Sequence, residues 1–533
     1  MDPDGPTTSQ PRAEAPGDFL DRRLACCPSN APRSESFSGL ILSRMYTAFM
    51  IAHGGIAFSG VMITIGQDLI DCGNSSDESD AQCGDNDSDS ESDCGKLWGF
   101  IKPTSLPSLI VTVGAVINAC TAPFLGAIIE CTPYRNRFGA FGSSMCLIGV
   151  LMSAVIIVPN EDTLAVCAVG SVLTYAFKDL HVLVGEAYIP ELSPAADEVA
   201  TAVTAGGLWL YCTEMVVIAV ITIIGSGMTT SHYGFFVTIV CGLPMILLLY
   251  LIYSKYPQVP AAHKVPAGQT IVSFSLSRLK ILTREMYRDY QDLGILLLAN
   301  MCFDPALSGL FSVAVQVLIG KYKFTPAEVP IVLGCAILSA VPGVVASRAC
   351  ARAPANADTN APKACPSPAD VASLRRTQLA LIGSLLMVAT ITSLATVALS
   401  QCALGIACVF GALWGFFTTF CWNSSSMMRA ALVPGGREAE VSGLAFVAFN
   451  LLQWLPTLIF SIANETWNID GALLLLNIFF VSGIAVLACI DVERGLRAKV
   501  QSLGQRRWHG GHSGEVKSTG ETELPSCNTI NEL

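Results

Sequence analysis

Several long apolar segments of this sequence contain charged side chains. Lys178, Asp179 and His181 lie close together in one segment, and Glu214 and Asp304 lie near the middle of two others. A charged side chain at the centre of a bilayer costs about 3 kcal/mol or more, so such a residue usually faces protein or water and has a function. Side chains of these types can hold the charged groups of a small solute, carry protons, or form fixed ion pairs between helices.

Two interpretations are open for each of these residues. Lys178 and Asp304, on opposing walls of a cavity, would hold the carboxylate and the amine of an amino acid, or would only join helices as an ion pair. Asp179 is a further candidate for contact with the solute. Glu214 is either a proton-coupling acid, because burial favours a protonated carboxyl group, or a hydrogen-bonded packing residue. For His181, which shares a helix face with Lys178, we expect helix packing rather than proton relay.

The elements that must position these residues are apolar stretches of about 20 residues, long enough to cross a hydrocarbon core of roughly 30 Å. The chain is 52% hydrophobic and only 14% charged, which suits lipid better than water. Continuous apolar runs favour helices. The sequence therefore predicts an all-α integral membrane protein with twelve spans, at 45–67, 105–129, 138–158, 163–187, 203–226, 235–254, 291–317, 327–347, 377–399, 402–423, 441–463 and 469–490.

The distribution of charge predicts the orientation of these spans. Most of the 31 Lys and Arg residues lie in the tails and in the loops on their side of the predicted membrane, so the positive-inside rule places both termini in the cytoplasm. The sequons that begin at Asn74, Asn86 and Asn464 fall on the opposite side, where we expect a glycoprotein to carry its glycans. No basic patch is present, so the expected partner is the lipid bilayer and not nucleic acid.

The acidic loop at 70–96 has two further features of chemical interest. Cys72, Cys83 and Cys94 are the cysteines placed to pair in an oxidising lumen, but three thiols leave the pairing open. The acidic triplet within 85–89 begins like a calcium-binding loop, whereas the sixth and twelfth positions carry serine and lysine instead of glycine and glutamate. We therefore expect a solvated loop and no metal site.

Polar segments divide the chain into two halves of six spans each. Similar sequences at corresponding positions of the halves, Ala187-Tyr-Ile-Pro190 and Ala431-Leu-Val-Pro434, indicate a weak repeat. The predicted organisation is a disordered cytoplasmic N-terminal tail at 1–43, an N-terminal half at 44–254 with the acidic outer loop 70–96, a cytoplasmic linker at 255–290, a C-terminal half at 291–496 and a disordered cytoplasmic C-terminal tail at 497–533.

The loop between spans 2 and 3 carries a recognisable motif. A glycine, an acid and closely spaced basic residues resemble the signature loop of the major facilitator superfamily, and they are Gly126, Glu130, Arg135 and Arg137. The Thr-Pro-Tyr-Arg form of this loop, the Tyr-Ile-Pro-Glu-Leu sequence at 188–192 and the Val-Pro-Gly-Gly-Arg-Glu-Ala-Glu sequence at 433–440 resemble the vacuole-effluxer family. That family includes the autophagy-related permeases, which export amino acids from the fungal vacuole.

The resemblance implies roles for particular residues. In the superfamily, spans 1, 4, 7 and 10 line a central cavity near the bilayer midplane, which adds Asn423 to the candidates for solute contact. The four residues of the signature loop would form a charge network that opens and closes as the halves move, whereas the alternative is that the two arginines only fix the orientation. His53-Gly54-Gly55 in span 1 departs from the family's pattern.

These observations favour a carrier over an enzyme. We expect a major facilitator-type fold that works by alternating access and moves amino acids or similar small polar solutes, driven by their own gradient or by protons. A sugar-cation symporter and a non-transporting receptor or sensor on the same fold are the alternatives. No catalytic motif and no cofactor site is recognisable in the sequence. The vacuolar or lysosomal membrane and the plasma membrane are the expected locations.

Overall fold

The protein is built almost entirely of helices. The computed structural model describes residues 31–75, 96–192, 196–256, 268–351, 368–397, 403–434 and 438–510. Within these residues, twelve helices are long and apolar enough to cross a membrane, and the only extended pairing is an isolated bridge between Leu97 and Ile101. The structure therefore confirms the predicted all-α protein with twelve spans.

The N-terminal half contains spans 1 to 6. Span 1 is a continuous helix whose middle is wound as a π-helix, and the turn between spans 5 and 6 contains Gly227 at φ +91°, which glycine adopts without strain. The bounds are Ala31–Met50, Ile51–Ala57 and Phe58–Ser75 for span 1, Leu106–Cys131 for span 2, Arg135–Met152 and Ser153–Ile157 for span 3, Glu161–Leu192 for span 4, Ala196–Gly225 for span 5 and Thr230–Lys255 for span 6.

The C-terminal half contains spans 7 to 12. Span 11 is interrupted at Gln453, because Pro456 has no amide hydrogen for the Leu452 carbonyl group. Span 12 begins at Asn468, whose side-chain oxygen accepts a hydrogen bond from the Gly471 amide at 2.7 Å. The bounds are Gln291–Gly320, Val329–Ala351, Pro368–Val397 and Leu404–Leu432 for spans 7 to 10, Glu438–Leu452 and Trp454–Thr466 for span 11, and Ile469–Leu475 and Asn477–Leu487 for span 12.

Four segments differ from the predicted boundaries. Span 10 continues to Leu432, so Asn423 lies inside the helix and not at its end. The predicted linker contains the helix Ile271–Asp289, which we call the linker helix. A C-terminal helix, Val492–Gly510, continues past the predicted end of the second half at 496, and the first helix begins at Ala31, before the predicted end of the N-terminal tail at 43.

Small residues allow the closest helix contacts within each half. In the C-terminal half, a Cβ atom at Gly415 would lie 1.9 Å from the Ala336 carbonyl oxygen, so any side chain there would separate spans 8 and 10. In the N-terminal half, Gly149 and Gly170 place the backbones of spans 3 and 4 in direct contact in the same way. Close backbone approach at small residues is the usual means by which helices associate in lipid.

The most extensive contacts between the two halves join span 2 with span 11 and span 5 with span 8, and smaller ones join span 1 with spans 7 and 8. An apolar cluster that includes Ile56, Ile218 and Leu333 joins spans 1, 5 and 8 across the boundary. We call the membrane side on which span 1 begins, and on which the C-terminal helix lies, the terminal side. On the opposite side, a cavity of about 470 Å³ lies between span 1 at Thr64 and the turn between spans 7 and 8 at Lys323.

Candidate functional site

A polar cluster occupies the middle of the N-terminal half. The Lys178 ammonium lies 3.6 Å from the Asp179 carboxylate, and the Asn118 amide of span 2 donates to the other Asp179 oxygen at 2.8 Å. The Lys178 ammonium also lies 5.6 Å from the centre of the Tyr175 ring. Asp179 is buried, whereas the Lys178 side chain is 21% exposed, so the lysine is the charged group of this cluster that a solute can approach.

The π-helix of span 1 lies against the same cluster. Cβ atoms at Gly54 and Gly55 would lie in ordinary van der Waals contact with the Tyr175 side chain, so this part of span 1 lies against span 4 next to Lys178. His53 points elsewhere, because its Nε2 atom lies 3.4 Å from the Thr238 hydroxyl of span 6. A π-helical segment is costly and is often found at functional sites. The unusual His-Gly-Gly sequence therefore shapes the wall of the polar cluster.

A second polar cluster lies between spans 7 and 10 in the C-terminal half. Ser425 donates to the side-chain oxygen of Asn300 at 2.9 Å, and the positive charge of Arg429 acts on the Asp304 carboxylate. Within the described part of the chain, Asp304 Oδ1, Asn300 Nδ2 and Ser424 Oγ are buried and have no hydrogen-bond partner. Unsatisfied polar atoms at this depth are unusual in folded proteins, and a ligand is one way to satisfy them.

The two clusters do not pair with each other in this conformation. Lys178 pairs with Asp179, and among the described residues no ion pair joins Lys178 to Asp304. The Lys178–Asp304 bridge that the sequence suggested is therefore absent from the described structure. Arg429, which the predicted end of span 10 at 423 left outside the membrane, lies inside the same helix and acts on Asp304 through its charge, without a direct ion pair in the described structure.

His181 makes the contacts of a helix-packing residue. Its Nδ1 atom lies 2.6 Å from the Ser143 hydroxyl, and its Nε2 atom lies 3.1 Å from the Ser43 hydroxyl. The Tyr253 hydroxyl lies 3.3 Å from the same Nδ1 atom. The imidazole thus connects spans 1, 3, 4 and 6 inside the N-terminal half.

Glu214 and Asn423 lie in different surroundings. Glu214 is buried on span 5 close to Tyr211, which lies near Thr419 of span 10 in the other half. Asn423 donates to the Ser347 hydroxyl of span 8 at 2.6 Å, within the C-terminal half. Glu214 is therefore beside a contact between the halves, whereas Asn423 connects two neighbouring helices.

The arginines of the signature loop are held at the terminal side. Arg135 is buried, donates to the Ala187 carbonyl group at 3.2 Å and lies 5.2 Å from the centre of the Tyr188 ring. Arg137 lies 5.2 Å from the centre of the Tyr134 ring. Gly126 and Glu130 are in the last turns of span 2, and the side chain of Glu130 lies outside the described residues. Arg135 thus joins the start of span 3 to the end of span 4.

Two ion pairs at the terminal side are not predicted from the sequence. Arg494 of the C-terminal helix binds both oxygens of the buried Asp292 carboxylate at 2.7 Å, and this carboxylate raises the pKa of Arg494. Arg44 of span 1 pairs with Glu186 of span 4. Asp292 is the residue from which the first pair could have been predicted. It lies in the first turn of span 7, after a cationic linker and before an apolar run, where an acid needs a cationic partner.

Polar side chains close the boundary between spans 2 and 11 on the opposite side. The Ser108 and Ser461 hydroxyls are 2.5 Å apart, and the Thr112 and Thr457 hydroxyls are 2.9 Å apart. Beyond them, the Asn464 amide donates to the Ser105 hydroxyl at 2.8 Å. We call these residues of spans 2 and 11 the polar seam.

The polar seam includes one of the three predicted glycosylation sites. The Asn464 side chain is buried and also donates to the Thr104 hydroxyl at 3.2 Å. Asn86 and the side chain of Asn74 lie outside the described residues. In this conformation the Asn464 amide is therefore occupied by the neighbouring half of the protein.

Solved structures with the same fold are transporters. The human organic anion transporter MFSD10 (TETRAN) is 14% identical, with 86% of this chain and 99% of that chain aligned at a TM-score of 0.53. The inward-open xylose transporter XylE from E. coli is 12% identical, with 85% and 96% aligned at a TM-score of 0.55. At these identities the likeness shows the fold alone, which is that of the major facilitator superfamily.

Sequence comparison identifies the family within that fold. No curated protein sequence matches the chain. The family model described as vacuole effluxer Atg22 like matches residues 43–500, which include most of span 1, the other eleven spans and the signature loop. The protein is thus a multi-pass membrane transporter of the major facilitator type, and it belongs to the vacuole effluxer Atg22-like family.

Proposed function

We propose that this transporter works by alternating access and moves amino acids or similar small polar solutes. The observation that carries the proposal is the presence of one polar cluster in each half, with Lys178 partly exposed in the first and Asp304 lacking a hydrogen-bond partner in the second. A solute with a carboxylate and an ammonium group matches this pair of charges. Carriers of this plan bind their solute between the halves near the bilayer midplane.

The family description supports a location on a vacuolar or lysosomal membrane. The distribution of Lys and Arg residues supports the orientation with both termini in the cytoplasm. In that orientation the polar seam faces the lumen, and the terminal side faces the cytoplasm. Glu214 is the candidate for proton coupling, because it is a buried acid beside the contact that Tyr211 and Thr419 make between the halves. Asp179 sets the position of Lys178 through their ion pair.

Uptake by proteoliposomes tests this proposal. Purified protein is reconstituted and offered labelled amino acids, xylose and nucleosides, with and without a pH gradient. Lys178→Ala and Asp304→Asn are each expected to reduce the rate of amino-acid uptake at least tenfold, because a hydrogen bond to a charged group contributes about 1.5–3 kcal/mol. The matched controls are Lys255→Ala and Asp162→Asn, at exposed helix ends away from both clusters.

The panel also separates the alternatives. Uptake of sugar and not of amino acids would favour a sugar symporter, and ligand binding without any flux would favour a receptor. Normal amino-acid uptake by both Lys178→Ala and Asp304→Asn would show that the solute binds elsewhere.

A further inference from the structure

The linker helix carries a row of exposed, mostly apolar side chains. Val272, Leu276, Thr283 and Tyr287 share one face at helical spacing, and all four are exposed, Tyr287 by 81%. The Thr283 hydroxyl group is bonded to the Leu279 carbonyl group at 2.8 Å, so it does not need water. We call these four residues the apolar stripe. A continuous apolar surface of this kind is typical of a site of contact with a membrane or with another protein.

A row of basic residues runs beside the apolar stripe. Lys280, Arg284 and Arg288 follow one another at intervals of four residues, and all three are exposed. At about 100° per residue, the centre of this basic row lies roughly a quarter of a turn from the centre of the apolar stripe. Arg288 already pairs with Asp289 at 3.0 Å, so Lys280 and Arg284 are the stronger candidates for contact with an anion. The other acid of the helix, Glu285, is half-buried on a different face.

A third face of the linker helix is attached to the membrane-spanning helices. Leu282 and Met286 are buried and belong to the apolar cluster that includes Leu293 of span 7 and Val441 of span 11. The linker helix also contacts span 2 of the N-terminal half. Tyr290 alone separates the end of the linker helix from span 7. The helix is therefore held at the terminal side, next to the ends of spans 2, 7 and 11.

The order of these faces matches that of a helix at a membrane surface. The face of Leu282 and Met286 lies roughly a quarter of a turn from the apolar stripe, on the side away from the basic row. Around the helix, the attached face is thus followed by the apolar stripe and then by the basic row. Helices that lie in the membrane interface have the same order, with apolar side chains at the acyl boundary and basic side chains at the headgroups.

We propose that the linker helix binds the headgroups of anionic phospholipids in the same membrane. Lys280 and Arg284 contact the phosphate and carboxylate groups of the lipids, and the apolar stripe inserts at the boundary between headgroups and acyl chains. An acidic protein segment would match the basic row, but it would leave the apolar stripe in water. A bilayer occupies both surfaces at once, and span 7 already places the linker helix beside it. This contact is independent of the solute that the protein transports.

Hydrogen exchange of the full-length protein in nanodiscs tests the lipid contact. The discs contain phosphatidylcholine alone, or phosphatidylcholine with phosphatidylserine as about one third of the lipid. We expect the backbone amides of the linker helix to exchange at least fivefold more slowly in the anionic discs, because bound headgroups oppose local opening. High salt should reduce this difference. The amides of the membrane spans are the internal reference and should exchange equally in both discs.

Two double variants test the role of charge. Lys280→Gln/Arg284→Gln should reduce the difference between the discs to less than twofold, because the cations that attract the headgroups are absent. Arg375→Gln/Arg376→Gln is the matched control, since it removes two exposed cations at the start of span 9 on the same side of the membrane. This control should keep the fivefold difference. Equal loss in both double variants would show that the net charge of the terminal side, and not the linker helix, attracts the lipid.

Two single variants test the apolar stripe. Leu276→Gln should accelerate exchange of the linker helix in both kinds of disc, because it removes an apolar group from the membrane interface. Ile281→Gln is the matched control, since Ile281 is 57% exposed but lies outside the apolar stripe, beyond the basic row. Equal acceleration by the two substitutions would show that the apolar stripe does not enter the membrane.

Three results with the wild-type protein would overturn the proposal. Equal exchange of the linker helix in the two kinds of disc would exclude contact with anionic lipid. Protection by inorganic phosphate in discs of phosphatidylcholine would indicate a site for a soluble anion instead. Protection in a neutral detergent as strong as in the anionic discs would show that another part of the protein covers the linker helix. None of these measurements depends on transport, so the proposed function stands or fails separately.

Discussion

At the residue scale, His181 illustrates how an ionisable group inside the membrane can serve packing. Replacement of His181 by leucine removes the hydrogen bonds to Ser143 and Ser43 and leaves buried hydroxyl groups without partners. We expect His181→Leu to lower the free energy of unfolding by about 1–3 kcal/mol and to lower Tm, with the pH profile of transport unchanged. His232→Leu, at the exposed start of span 6, should leave both quantities close to those of the wild type.

A shifted pH profile with an unchanged Tm would contradict this expectation and would indicate a proton relay through His181. The two readouts are independent, since thermal unfolding of the purified protein reports packing and uptake at several pH values reports proton transfer.

Asn464 is the residue at which a sequence pattern and its structural context disagree most. A glycan on the Asn464 amide would prevent its contacts with Thr104 and Ser105 in the folded protein, so we expect the sequon at 464–466 to remain unmodified. Removal of this sequon by Thr466→Ala should not change electrophoretic mobility or sensitivity to endoglycosidase. Asn74→Gln and Asn86→Gln should each remove one glycan. A mobility shift in Thr466→Ala would show that the seam is open when the glycan is added.

At the element scale, the C-terminal helix is held to the membrane part by the ion pair between Arg494 and Asp292, in addition to hydrogen bonds from Lys499 to the Ala430 and Ala431 carbonyl groups. Arg494→Ala would leave the Asp292 carboxylate, which is 2% exposed, without its cation. We expect a loss of about 1–3 kcal/mol in the free energy of unfolding and faster hydrogen exchange of backbone amides in the C-terminal helix. The estimate is below that of a fully buried pair because the arginine side chain is 51% exposed.

Arg497→Ala is the matched control for this contact. Arg497 pairs with Glu493 on the surface of the same helix, and an exposed pair at this spacing contributes less than about 0.5 kcal/mol. Equal effects of the two substitutions would show that Asp292 does not hold the helix.

The sequence predicts the spans well and the polar helices poorly, for a physical reason. A membrane span is determined by its own apolar length, which hydropathy measures directly. The linker helix and the C-terminal helix are polar, and contacts such as that between Arg494 and Asp292 stabilise them from outside their own sequence. Sequence patterns do not contain those contacts, so these segments were predicted as a linker and a disordered tail.

The candidate site also has features that the sequence predicts and features that only the structure shows. The charges at Lys178, Asp179 and Asp304 are visible as interruptions of apolar segments. The positions of Asn118 and Arg429 close to these charges depend on how the helices pack against one another.

At the scale of the whole molecule, alternating access requires the polar seam to separate. The Ser108 and Ser461 hydroxyls are in contact across the seam, so cysteines at both positions are expected to form a disulfide under mild oxidation. The oxidised double variant Ser108→Cys/Ser461→Cys should lose at least nine-tenths of its transport, because the opposite side can no longer open. A reducing agent should restore it. Uptake by proteoliposomes before and after reduction measures the effect.

Matched controls must exclude effects of the oxidant on native cysteines, since the chain contains 20 of them. Each single variant, treated with the same oxidant, should transport like the oxidised wild type, and a double variant with cysteines at Ser254 and Ser277, exposed at the terminal side, should do so as well. Full transport by a double variant shown by mass spectrometry to be cross-linked at 108 and 461 would mean that the halves exchange access without separating here. The seam would then be a fixed contact between the halves.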